Sequence, residues 1–346
     1  MRSQVRASLI VVGFGAETYL EECLRAADHA CSPEDEIVVV NNGIHHLDRR
    51  RPRWPSRVTL VQSGGNKGFA AGVNLGVRRS TGRVLVLLNS DVTLCSDAVE
   101  WIVEAAQGCG QVIAAGSLRI AQHPDQMNSA GNPVHYTGLC WAGGNGTPAH
   151  LHDREACVAT PSGAFLAVSR DGWTQIGEFN ESYFMYHEDV EWGLRAWLSG
   201  WEVHYVPKAV AFHHYEFSRN RMKMYLLERN RIITVSTLYP KRALLALAPA
   251  FLLLEIAVSL VALRKGWYRD KLQGYLWLWR NRSMLMQRRR DVRSGFDSKD
   301  DARMINMLTP KFDLSEVEER FIGRLANRLS LTYWQFAMRG VGARVR

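Results

Sequence analysis

Acidic side chains stand among aromatic ones in YFMYHEDVEW, residues 183–192. Its three carboxylates belong to Glu188, Asp189 and Glu191. The helix dipole favours negative charge at the start of a helix, so a solvated first turn is one explanation for them. The other is that apolar walls hold one of these acids for chemistry. Glu191 fits the first explanation best, as a solvated residue on a helix surface.

A glycine-rich loop and a strand end carry groups suited to phosphates and metals. In SGGNKGFAAGVNLG, residues 63–76, glycines allow the backbone to approach a phosphate or sugar, and the following helix N-terminus favours an anion. A tight turn before a packed helix explains the same residues equally well. In LLNSDV, residues 87–92, an apolar strand ends in Asn89, Ser90 and Asp91. A carboxylate there suits Mg²⁺ or Mn²⁺, although Asp91 could also cap the next turn.

Paired histidines follow a later strand end, in VPKAVAFHH at residues 206–214. A histidine is usually a structural residue with satisfied hydrogen bonds. The alternative is that His213 completes a metal site with Asp91, because imidazole nitrogen is a common metal ligand.

The elements around these groups alternate between strands and helices. Apolar, β-branched runs are typical of strands that are buried on both faces, and amphipathic helical patterns separate them. The first half therefore predicts a doubly wound α/β unit, with ligands at the carboxyl ends of its strands. The predicted strands are residues 7–12, 36–40, 58–62, 83–88, 164–169 and 202–207. The later predicted helices are residues 188–199 and 219–237.

Charge and cysteine content narrow the class of protein. The 346 residues carry a net charge of +9, and residues 264–293 contain ten Lys or Arg against two Asp. This local excess predicts an anionic partner, either nucleic acid or a phospholipid surface. The six cysteines form no CxxC pair, which favours a reducing, cytosolic compartment. The N-terminal apolar run is short and leads into a helical pattern, so we interpret it as a strand rather than a signal peptide.

Residues 243–263 form an apolar stretch whose only charge is Glu255. It is long enough to span a bilayer, but Glu255 and Pro249 argue against an ordinary lipid-facing span. The next segment mixes Trp and Tyr with Arg and Lys, as in a helix that lies among lipid headgroups. A helical subdomain that buries the apolar stretch is the alternative. Residues 314–329 then predict an amphipathic helix that packs on the domain or mediates self-association.

The order and text of these motifs resemble the family 2 glycosyltransferases with the GT-A fold, most closely their rhamnosyltransferase-like branch. The resemblance covers about residues 7–215. It implies an α/β, Rossmann-like, mostly parallel sheet flanked by helices, followed by a helical, membrane-associating region. The expected domains are 1–218, divided into a nucleotide-sugar half (1–120) and an acceptor half (121–218), and 219–346. The matching segments are EIVVVNNG, GGNKGFAAGVNLGV, TGRVLVLLNSDV, SGAFLAVSRDGWTQIGEFNESYFMYHEDVEWGLRAWLSGW and YVPKAVAFHH.

The resemblance implies roles for several of these groups. Asp91 matches the carboxylate that binds Mn²⁺ or Mg²⁺ on the donor diphosphate, and His213 matches a histidine that supplies another metal ligand. The usual Asp-x-Asp motif begins with Asn89 here, so coordination rests more heavily on Asp91. Asp189 matches the general base of an inverting reaction. Glu188 matches the acid beside it, which contacts the acceptor or orients the site.

Donor and acceptor contacts follow from the same match. The second strand usually ends in Asp-Asn, whose Asp reads the pyrimidine base, but here it ends in Asn41-Asn42. An Asn amide oxygen can still accept a hydrogen bond from N3–H of uracil or thymine. Two aromatic neighbours, Tyr183 and Phe184, either join the acceptor pocket or pack in the core. The residues expected at the donor are Gly13, Asn41, Asn42, Asn66, Lys67, Gly68, Asn74, Asn89, Ser90 and Asp91. The residues expected at the acceptor are Gly163, Tyr186 and Trp192.

The implied function is transfer of a rhamnose-like or other hexose from a dTDP- or UDP-linked donor to a saccharide hydroxyl, in cell-surface polysaccharide synthesis. We expect a lipid-linked acceptor and a cytoplasmic protein, peripheral or monotopic, at the anionic inner face of the cell membrane. Nucleic acid is not expected, because no RNA-binding module is recognisable. Self-association stays open.

Two other functions are alternatives to sugar transfer. The first is an inactive nucleotide-sugar-binding scaffold, against which the joint presence of Asp91, Asp189 and His213 argues. The second is a sugar-nucleotide pyrophosphorylase, which needs a basic glycine-rich signature near the N-terminus. The segment VVGFGAETYL does not supply that signature.

Overall fold

The computed structural model describes residues 5–108, 110–214, 222–313 and 320–339. The chain divides into two compact units, of which the first carries most of the predicted site residues. The start of the amphipathic helix predicted at 314–329 lies outside the described residues. The first unit consists of Met1–Asn132, Ala142–Ala196 and Trp201–Phe217, and the second of Pro133–Trp141, Trp197–Gly200 and Ser218–Arg346.

The strands predicted from apolar runs are all present, and the last of them is longer than expected. The predicted strand 202–207 continues as far as His213, because the alternation of buried and exposed side chains extends through KAVAFH. In chain order the strands are β1 Ala7–Gly15, β2 Glu36–Ile44, β3 Val58–Gln62, β4 Val84–Asn89, β5 Val92–Leu94, β6 Val112–Ile120, β7 His123–Ser129, β8 Val134–His135, β9 Ala156–Cys157, β10 Phe165–Ser169, β11 Glu202–His213 and β12 Leu308–Thr309.

The first unit is built on one mixed sheet of ten strands in the described part of the chain. The strand order is β3-β2-β1-β4-β10-β6-β11-β5, with β7 beside β6 and β9 beside β11. The first four strands of this order are parallel, as predicted. β10 runs antiparallel to both β4 and β6, so the sheet is mixed rather than mostly parallel. The parallel region coincides with the part of the sequence in which helices connect the strands, since parallel pairing requires such crossovers.

The helices follow the predicted pattern in kind and place. The predicted helices 188–199 and 219–237 correspond to α6 and α7, and the apolar stretch lies within the 25-residue α8. In chain order the helices are α1 Leu20–Ala30, α2 Leu47–Arg50, α3 Phe69–Arg79, α4 Ala98–Gln107, α5 Arg170–Ile176, α6 Glu188–Leu198, α7 Lys223–Leu238, α8 Lys241–Lys265, α9 Tyr268–Arg280, α10 Arg282–Arg293, α11 Ser298–Asn306 and α12 Arg320–Arg339. Three short 3₁₀ turns occupy Arg51–Arg53, Ala149–His152 and Glu181–Tyr183.

Close packing of α3 on the sheet sets the position of the glycine-rich loop that precedes it. A Cβ atom added at Gly72 would lie 2.6 Å from Val12 Cγ1, and one added at Gly76 would lie 2.4 Å from Ile10 Cγ2. Glycine at these points therefore lets the helix approach β1 more closely than any other residue would. The central strands beneath it are buried on both faces, as the consecutive residues Leu9 and Ile10 of β1 and Ile37 and Val38 of β2 illustrate.

The second unit is mainly helical. It contains α7 to α12 and a short parallel pair formed by β8 and β12. Within it, α7 packs against α9 and α10, and α8 packs against α9 and α12. Among the described residues, Lys241–Lys265 is the helix whose length and apolar composition would allow it to cross a membrane. Very little of its apolar stretch is buried, unlike the core helix of a soluble protein.

We expect Gly76→Ala to destabilise the first unit. Replacing glycine by alanine in a helix interior stabilises the helix by about 1 kcal/mol. At this position, however, the new methyl group would overpack against Ile10 and Val40, which costs about 1–3 kcal/mol. Denaturant unfolding should therefore show a net loss of stability. The matched control is Gly274→Ala in α9, where the nearest atom to the new Cβ is Arg229 Cβ at 3.6 Å and only the helix gain applies. A stabilised Gly76→Ala protein would contradict the packing described here.

Candidate active site

Asp91 and His213 meet at the carboxyl edge of the sheet. Asp91 lies in the turn between β4 and β5, and β5 pairs antiparallel with β11 so that Val92 lies opposite His213. This register places His213 Nε2 at 3.3 Å from Asp91 Oδ1. The backbone N–H of His214 also donates to the carbonyl oxygen of Asp91, at 2.9 Å. Two residues that are 122 positions apart in the sequence are thus held together by one strand pair.

The hydrogen bonds of His213 direct a lone pair towards Asp91. His213 Nδ1 lies 2.9 Å from Asn128 Oδ1, and an amide oxygen only accepts hydrogen bonds, so Nδ1 carries the proton. In its neutral form the ring presents a lone pair on Nε2 to a carboxylate oxygen of Asp91. Two acceptors at this distance repel each other unless a proton or a cation lies between them.

These groups fit a hard divalent cation. Adjacent ligands of an octahedral ion at about 2.1 Å are about 3 Å apart, close to the observed Nε2–Oδ1 distance. The second ring nitrogen is held by Asn128, as in many metal sites. Asn89 Oδ1 is buried and has no hydrogen-bond partner among the described residues, and Ser90 lies in the same turn. Asp91 and His213 are therefore the residues that could hold Mg²⁺ or Mn²⁺, with Asn89 as a further oxygen donor.

Asn42 organises the glycine-rich loop from within. Its buried amide donates to Gly68 O at 3.1 Å and to Asn66 Oδ1 at 3.3 Å, and it accepts from the backbone N–H of Lys67 at 2.9 Å. A residue predicted at the donor thus shapes the loop that would contact the donor. Asn66 and Lys67 are themselves exposed at the surface of this loop.

The other predicted donor residues differ in how much of their polar surface is available. Asn41 Oδ1 accepts from the backbone N–H groups of Gly43 and Ile44, so both of its lone pairs are engaged in a turn. Asn74 is buried and bonds the backbone of Phe179 through both its amide nitrogen and its oxygen. Gly13 lies against Ile44, where an added Cβ would be 2.6 Å from the Ile44 side chain.

A strained loop joins the glycine-rich loop to the acidic stretch. Among the described non-glycine residues, five have positive φ, and three of them, Phe184, Tyr186 and His187, directly precede α6. Such conformations each cost about 1–3 kcal/mol and cluster at active sites. Ala70 N–H donates to Phe184 O at 3.3 Å, and a Cβ added at Gly68 would lie 2.3 Å from that oxygen. Gly68 therefore permits direct contact between the two loops.

Asp189 is held at the N-terminus of α6 by two backbone donors. Gly163 N–H donates to Oδ2 at 2.8 Å, and the N–H of Val190 donates to Oδ1 at 2.8 Å. The neighbouring Ala164 carbonyl accepts from Asn89 N–H at 3.0 Å. Residues 163–164 thus connect the Asp189 carboxylate to the strand end that carries the Asp91 turn.

Burial separates the protonation states of Glu188 and Asp189. It raises the pKa of the Glu188 carboxyl well above its ordinary value, and the charge of Asp189 raises it further. Burial also raises the pKa of Asp189, although the Gly163 and Val190 N–H groups oppose this. Glu188 Oε2 is buried without a hydrogen-bond partner among the described residues, which suits a neutral acid. Burial thus favours the neutral form of Glu188 more strongly than that of Asp189, whose two backbone donors favour its ionised form.

Glu191 is not a solvated surface residue, as the sequence suggested. Its side chain is fully buried and forms an ion pair with Arg195, at 2.9 Å between Oε2 and Nη2. Arg195 also donates to the carbonyl oxygens of Ile176 and Glu178. This network attaches α6 to the segment before the strained loop. The prediction failed because α6 is covered on all sides, whereas a helix usually leaves one face in water.

The aromatic neighbours divide between core and surface. Trp192 is fully buried against Trp173 and Phe179, and its indole N–H donates to Gly177 O at 2.8 Å. The prediction that Trp192 lines an acceptor pocket is therefore not supported by its position. Tyr183 is fully buried as well, whereas Phe184 and Tyr186 keep part of their surface accessible.

Phe14 is a candidate site residue that the sequence motifs did not indicate. It ends the buried run of β1 and is 49% exposed, which is unusual for phenylalanine. Its ring lies 3.3 Å from a Cβ built on Gly43, next to Asn41. An exposed aromatic face at the carboxyl edge of a sheet suits stacking on a planar base. The apolar run of β1 hid this residue, since its neighbours Val11 and Val12 are buried.

A second group of potential metal ligands lies elsewhere in the first unit. Cys157, Glu202 and His204 bring one ligand atom each within 4.8 Å of one another. The antiparallel register of β9 and β11 places His204 opposite Cys157. His204 precedes His213 by nine residues on β11, or about 30 Å along a strand. This group is therefore separate from the Asp91–His213 pair.

Breaking the buried ion pair should cost far more stability than removing a surface charge. We expect Glu191→Gln to lower the free energy of unfolding by about 3–5 kcal/mol, because Arg195 keeps its buried charge without a counter-charge. The control is Glu104→Gln, an exposed position on α4, which should change stability by no more than about 0.5 kcal/mol. Equal stabilities of the two variants in denaturant unfolding would show that the pair has no structural importance.

Comparison with known proteins finds relatives that are glycosyltransferases. An L-rhamnosyltransferase of Mycobacterium tuberculosis, N-acetylglucosaminyl-diphospho-decaprenol L-rhamnosyltransferase, is 28% identical over 240 residues, which are 62% of this chain and 77% of the relative. The low-salt glycan biosynthesis hexosyltransferase Agl10 of Haloferax volcanii is 25% identical over 255 residues, 68% of this chain and 76% of that protein. These similarities support sugar transfer in glycan synthesis.

A solved structure shares the fold. The crystal structure of GalNAc-T7 with UDP, GalNAc and Mn²⁺ superposes with a TM-score of 0.57 at 13% identity, over 70% of this chain and 49% of that one. The chain thus spans about half the length of that structure, and the likeness concerns the GT-A fold alone. The family model named glycosyltransferase like family 2 matches residues 5–234. The chain therefore belongs to glycosyltransferase family 2 and is a glycosyltransferase.

Proposed function

We propose that this enzyme transfers a rhamnose-like or other hexose, with inversion, from a UDP- or dTDP-linked donor to a hydroxyl of a saccharide acceptor. The observation that carries the proposal is the bridge formed by residues 163–164. It connects Asp189, a carboxylate suited to act as a base, to the strand end beside the Asp91–His213 pair. Inverting transfer needs these two groups on opposite sides of one sugar, where a hydroxyl attacks and a diphosphate leaves.

Asp189 is the proposed general base. A hydroxyl is a poor nucleophile, and removal of its proton by a placed carboxylate contributes about 10²–10⁴-fold to the rate. The raised pKa makes the Asp189 carboxylate a stronger base than that of an ordinary aspartate. Burial raises the pKa of Glu188 well above its ordinary value, and in its neutral form Glu188 can donate a hydrogen bond to the acceptor or to the departing sugar ring.

Asp91 and His213 are the proposed ligands of Mn²⁺ or Mg²⁺, with Asn89 as a further donor. The cation, when bound, neutralises charge that develops on the leaving diphosphate. The chain's own contribution is to orient the ligands: the β5–β11 register positions His213, and Asn128 holds its ring so that Nε2 faces Asp91.

Phe14 and the glycine-rich loop are the proposed nucleotide site. The exposed ring of Phe14 can stack on the base, and the exposed Asn66 and Lys67 can contact the diphosphate or sugar. Asn41 uses both lone pairs of its oxygen internally, so we expect it to shape the β2 turn rather than read N3–H. This leaves stacking as the main contact to the base.

The acceptor is proposed to be lipid-linked and presented at the cytoplasmic face of the cell membrane. A relative of this chain is named for a diphospho-decaprenol acceptor, and little of the apolar stretch of α8 is buried. The basic segment 264–293 would contact anionic headgroups. A lipid-linked acceptor and a membrane-bound enzyme would then share one surface.

Replacing each of the two acids at the start of α6 by its amide should change the transfer rate to different extents. Asp189→Asn is expected to lower the transfer rate at least 100-fold while donor binding is kept, because only the proton acceptor is lost. Glu188→Gln, which resembles the neutral acid in shape and charge, is expected to lower the transfer rate less than tenfold.

In the wild type, the transfer rate should fall as the pH is lowered through the raised pKa of Asp189. This fall should occur at a less acidic pH than for an ordinary aspartate, whose pKa is about 3.9. Pre-steady-state transfer measured across pH tests this, and equal losses in the two variants would remove the assignment.

Calorimetric titration with UDP and dTDP, with and without Mn²⁺, separates the two proposed parts of the donor site. Asp91→Ala should abolish the increase in affinity that Mn²⁺ produces and leave metal-free binding intact. Phe14→Leu should weaken binding about 5–150-fold under both conditions, as expected for loss of about 1–3 kcal/mol of base stacking. An Asp91→Ala protein that still responds fully to Mn²⁺ would place the metal elsewhere, and Cys157→Ser serves as the control for the second group of ligands.

A further inference from the structure

The apolar helix α8 is tied to the second unit by buried charges. Glu255, near its middle, bonds Arg231 of α7 and Tyr275 of α9, and its Oε2 lies 2.8 Å from Lys271 Nζ. Glu228 accepts from the same Lys271 and Arg231, at 2.6 and 3.1 Å. The side chains of Lys271 and Arg231 are only 1% and 3% exposed. α8 therefore cannot leave α7 and α9 without stranding buried charges.

Although burial opposes ionisation, Arg231, Lys271 and Tyr275 lower the pKa of Glu255 to about 2. The carboxylate is thus charged at neutral pH, and this cluster carries two positive and two negative groups. The charges compensate one another only while all four groups stay together, because removal of any one group leaves a buried partner without its counter-charge.

The face of α8 that points away from its buried residues carries a continuous exposed apolar stripe. At 100° per residue its members fall within an arc of about 100°, and the buried Ala243, Leu247 and Ala262 lie on the other side. The stripe extends about 27 Å along the helix, at about 1.5 Å per residue. It contains no polar side chain. The members of this apolar stripe are Leu245, Leu252, Leu253, Ile256, Leu260 and Leu263.

Exposed basic and aromatic side chains accompany the stripe. Lys241 and Arg242 begin α8, and Arg264 and Lys265 end it, all exposed. On α9, Trp279 is 63% exposed beside Arg280. Apolar side chains flanked by tryptophan and cations are typical of helices that lie at the boundary between headgroups and acyl chains. The charge of this set matches an anionic phospholipid surface rather than a second copy of an equally basic protein.

The geometry points to α8 lying flat in the membrane interface, with its apolar stripe in the lipid and Glu255 in the protein, instead of spanning the bilayer. A span would place Glu255, Arg231, Lys271 and Glu228 near the bilayer centre. It would also bring in α9, whose Arg269, Asp270 and Arg280 have no place in hydrocarbon. This inference rests on the membrane association in the proposed function and specifies its mode.

Depth-dependent fluorescence quenching distinguishes the two arrangements. Cysteines are introduced at Leu245, Leu253 and Leu263 in a Cys157→Ser full-length chain and are labelled with an environment-sensitive dye; Cys157 is the native cysteine that is exposed among the described residues. The proteins are bound to phosphatidylglycerol/phosphatidylcholine vesicles that carry nitroxide at shallow or deep acyl positions. A flat helix gives similar quenching at all three sites, strongest with the shallow nitroxide. A spanning helix gives a deep Leu253 between two shallow ends, and that result would overturn the inference.

Vesicle sedimentation supplies the matched control. Leu252→Glu, at a position 63% exposed in the apolar stripe, should reduce partitioning onto anionic vesicles at least tenfold. Leu151→Glu, at a position 64% exposed in the first unit, should not. Equal binding of both variants, or a Leu252→Glu protein that instead changes from dimer to monomer in analytical ultracentrifugation, would overturn the inference. Donor hydrolysis by the same proteins without vesicles tests the proposed catalytic function separately, because it does not depend on α8.

Discussion

The candidate site depends on a short backbone segment, residues 163–164, that cannot move independently of the sheet. Ala164 accepts a hydrogen bond from Asn89, and Gly163 donates one to Asp189. Immediately afterwards β10 enters the sheet between β4 and β6, so both of its edges are paired. Any shift of this segment would break ladder hydrogen bonds on two sides. Asp189, the proposed base, and the strand end that carries the Asp91 turn are therefore fixed to one rigid element, as catalysis by positioning requires.

The same constraint explains how three acids coexist on one buried helix. Water solvates none of them fully, so each is accommodated differently: burial raises the pKa of Glu188, backbone N–H groups donate to Asp189, and Arg195 pairs with Glu191. A charge without such compensation would be strongly destabilising. The carboxylate of Asp189 has neutral backbone donors as its hydrogen-bond partners, which suits the base proposed above. One proposed base and two supporting residues would thus explain why YFMYHEDVEW sets acids among aromatic side chains.

The architecture was largely predictable from the sequence, and the microenvironments were not. Apolar runs predicted the strands because burial on both faces leaves few other residues possible. The proximity of Asp91 and His213 came from the resemblance, since no local pattern specifies that β5 pairs with β11. The burial of Glu191 was readable in principle: Arg195 follows it by one helical turn, and Trp192, Leu194 and Trp197 cover the remaining faces. Asn74 could not have been assigned to Phe179, 105 residues away, without the fold.

The buried ion pairs of Glu255 distinguish two sides of α8, one packed against the protein and one exposed, which the mean hydropathy of the helix does not. Composition alone describes a helix that could span a bilayer, because a single Glu255 hardly changes the average. The partners of Glu255 decide the matter, because Arg231 and Lys271 belong to helices that carry further charges. A lone glutamate in a span could be neutralised by protonation, but Glu255 is held as an ion by two cations and a hydroxyl. A helix that is held in this way can contact lipid only through its exposed face, and that face carries the apolar stripe.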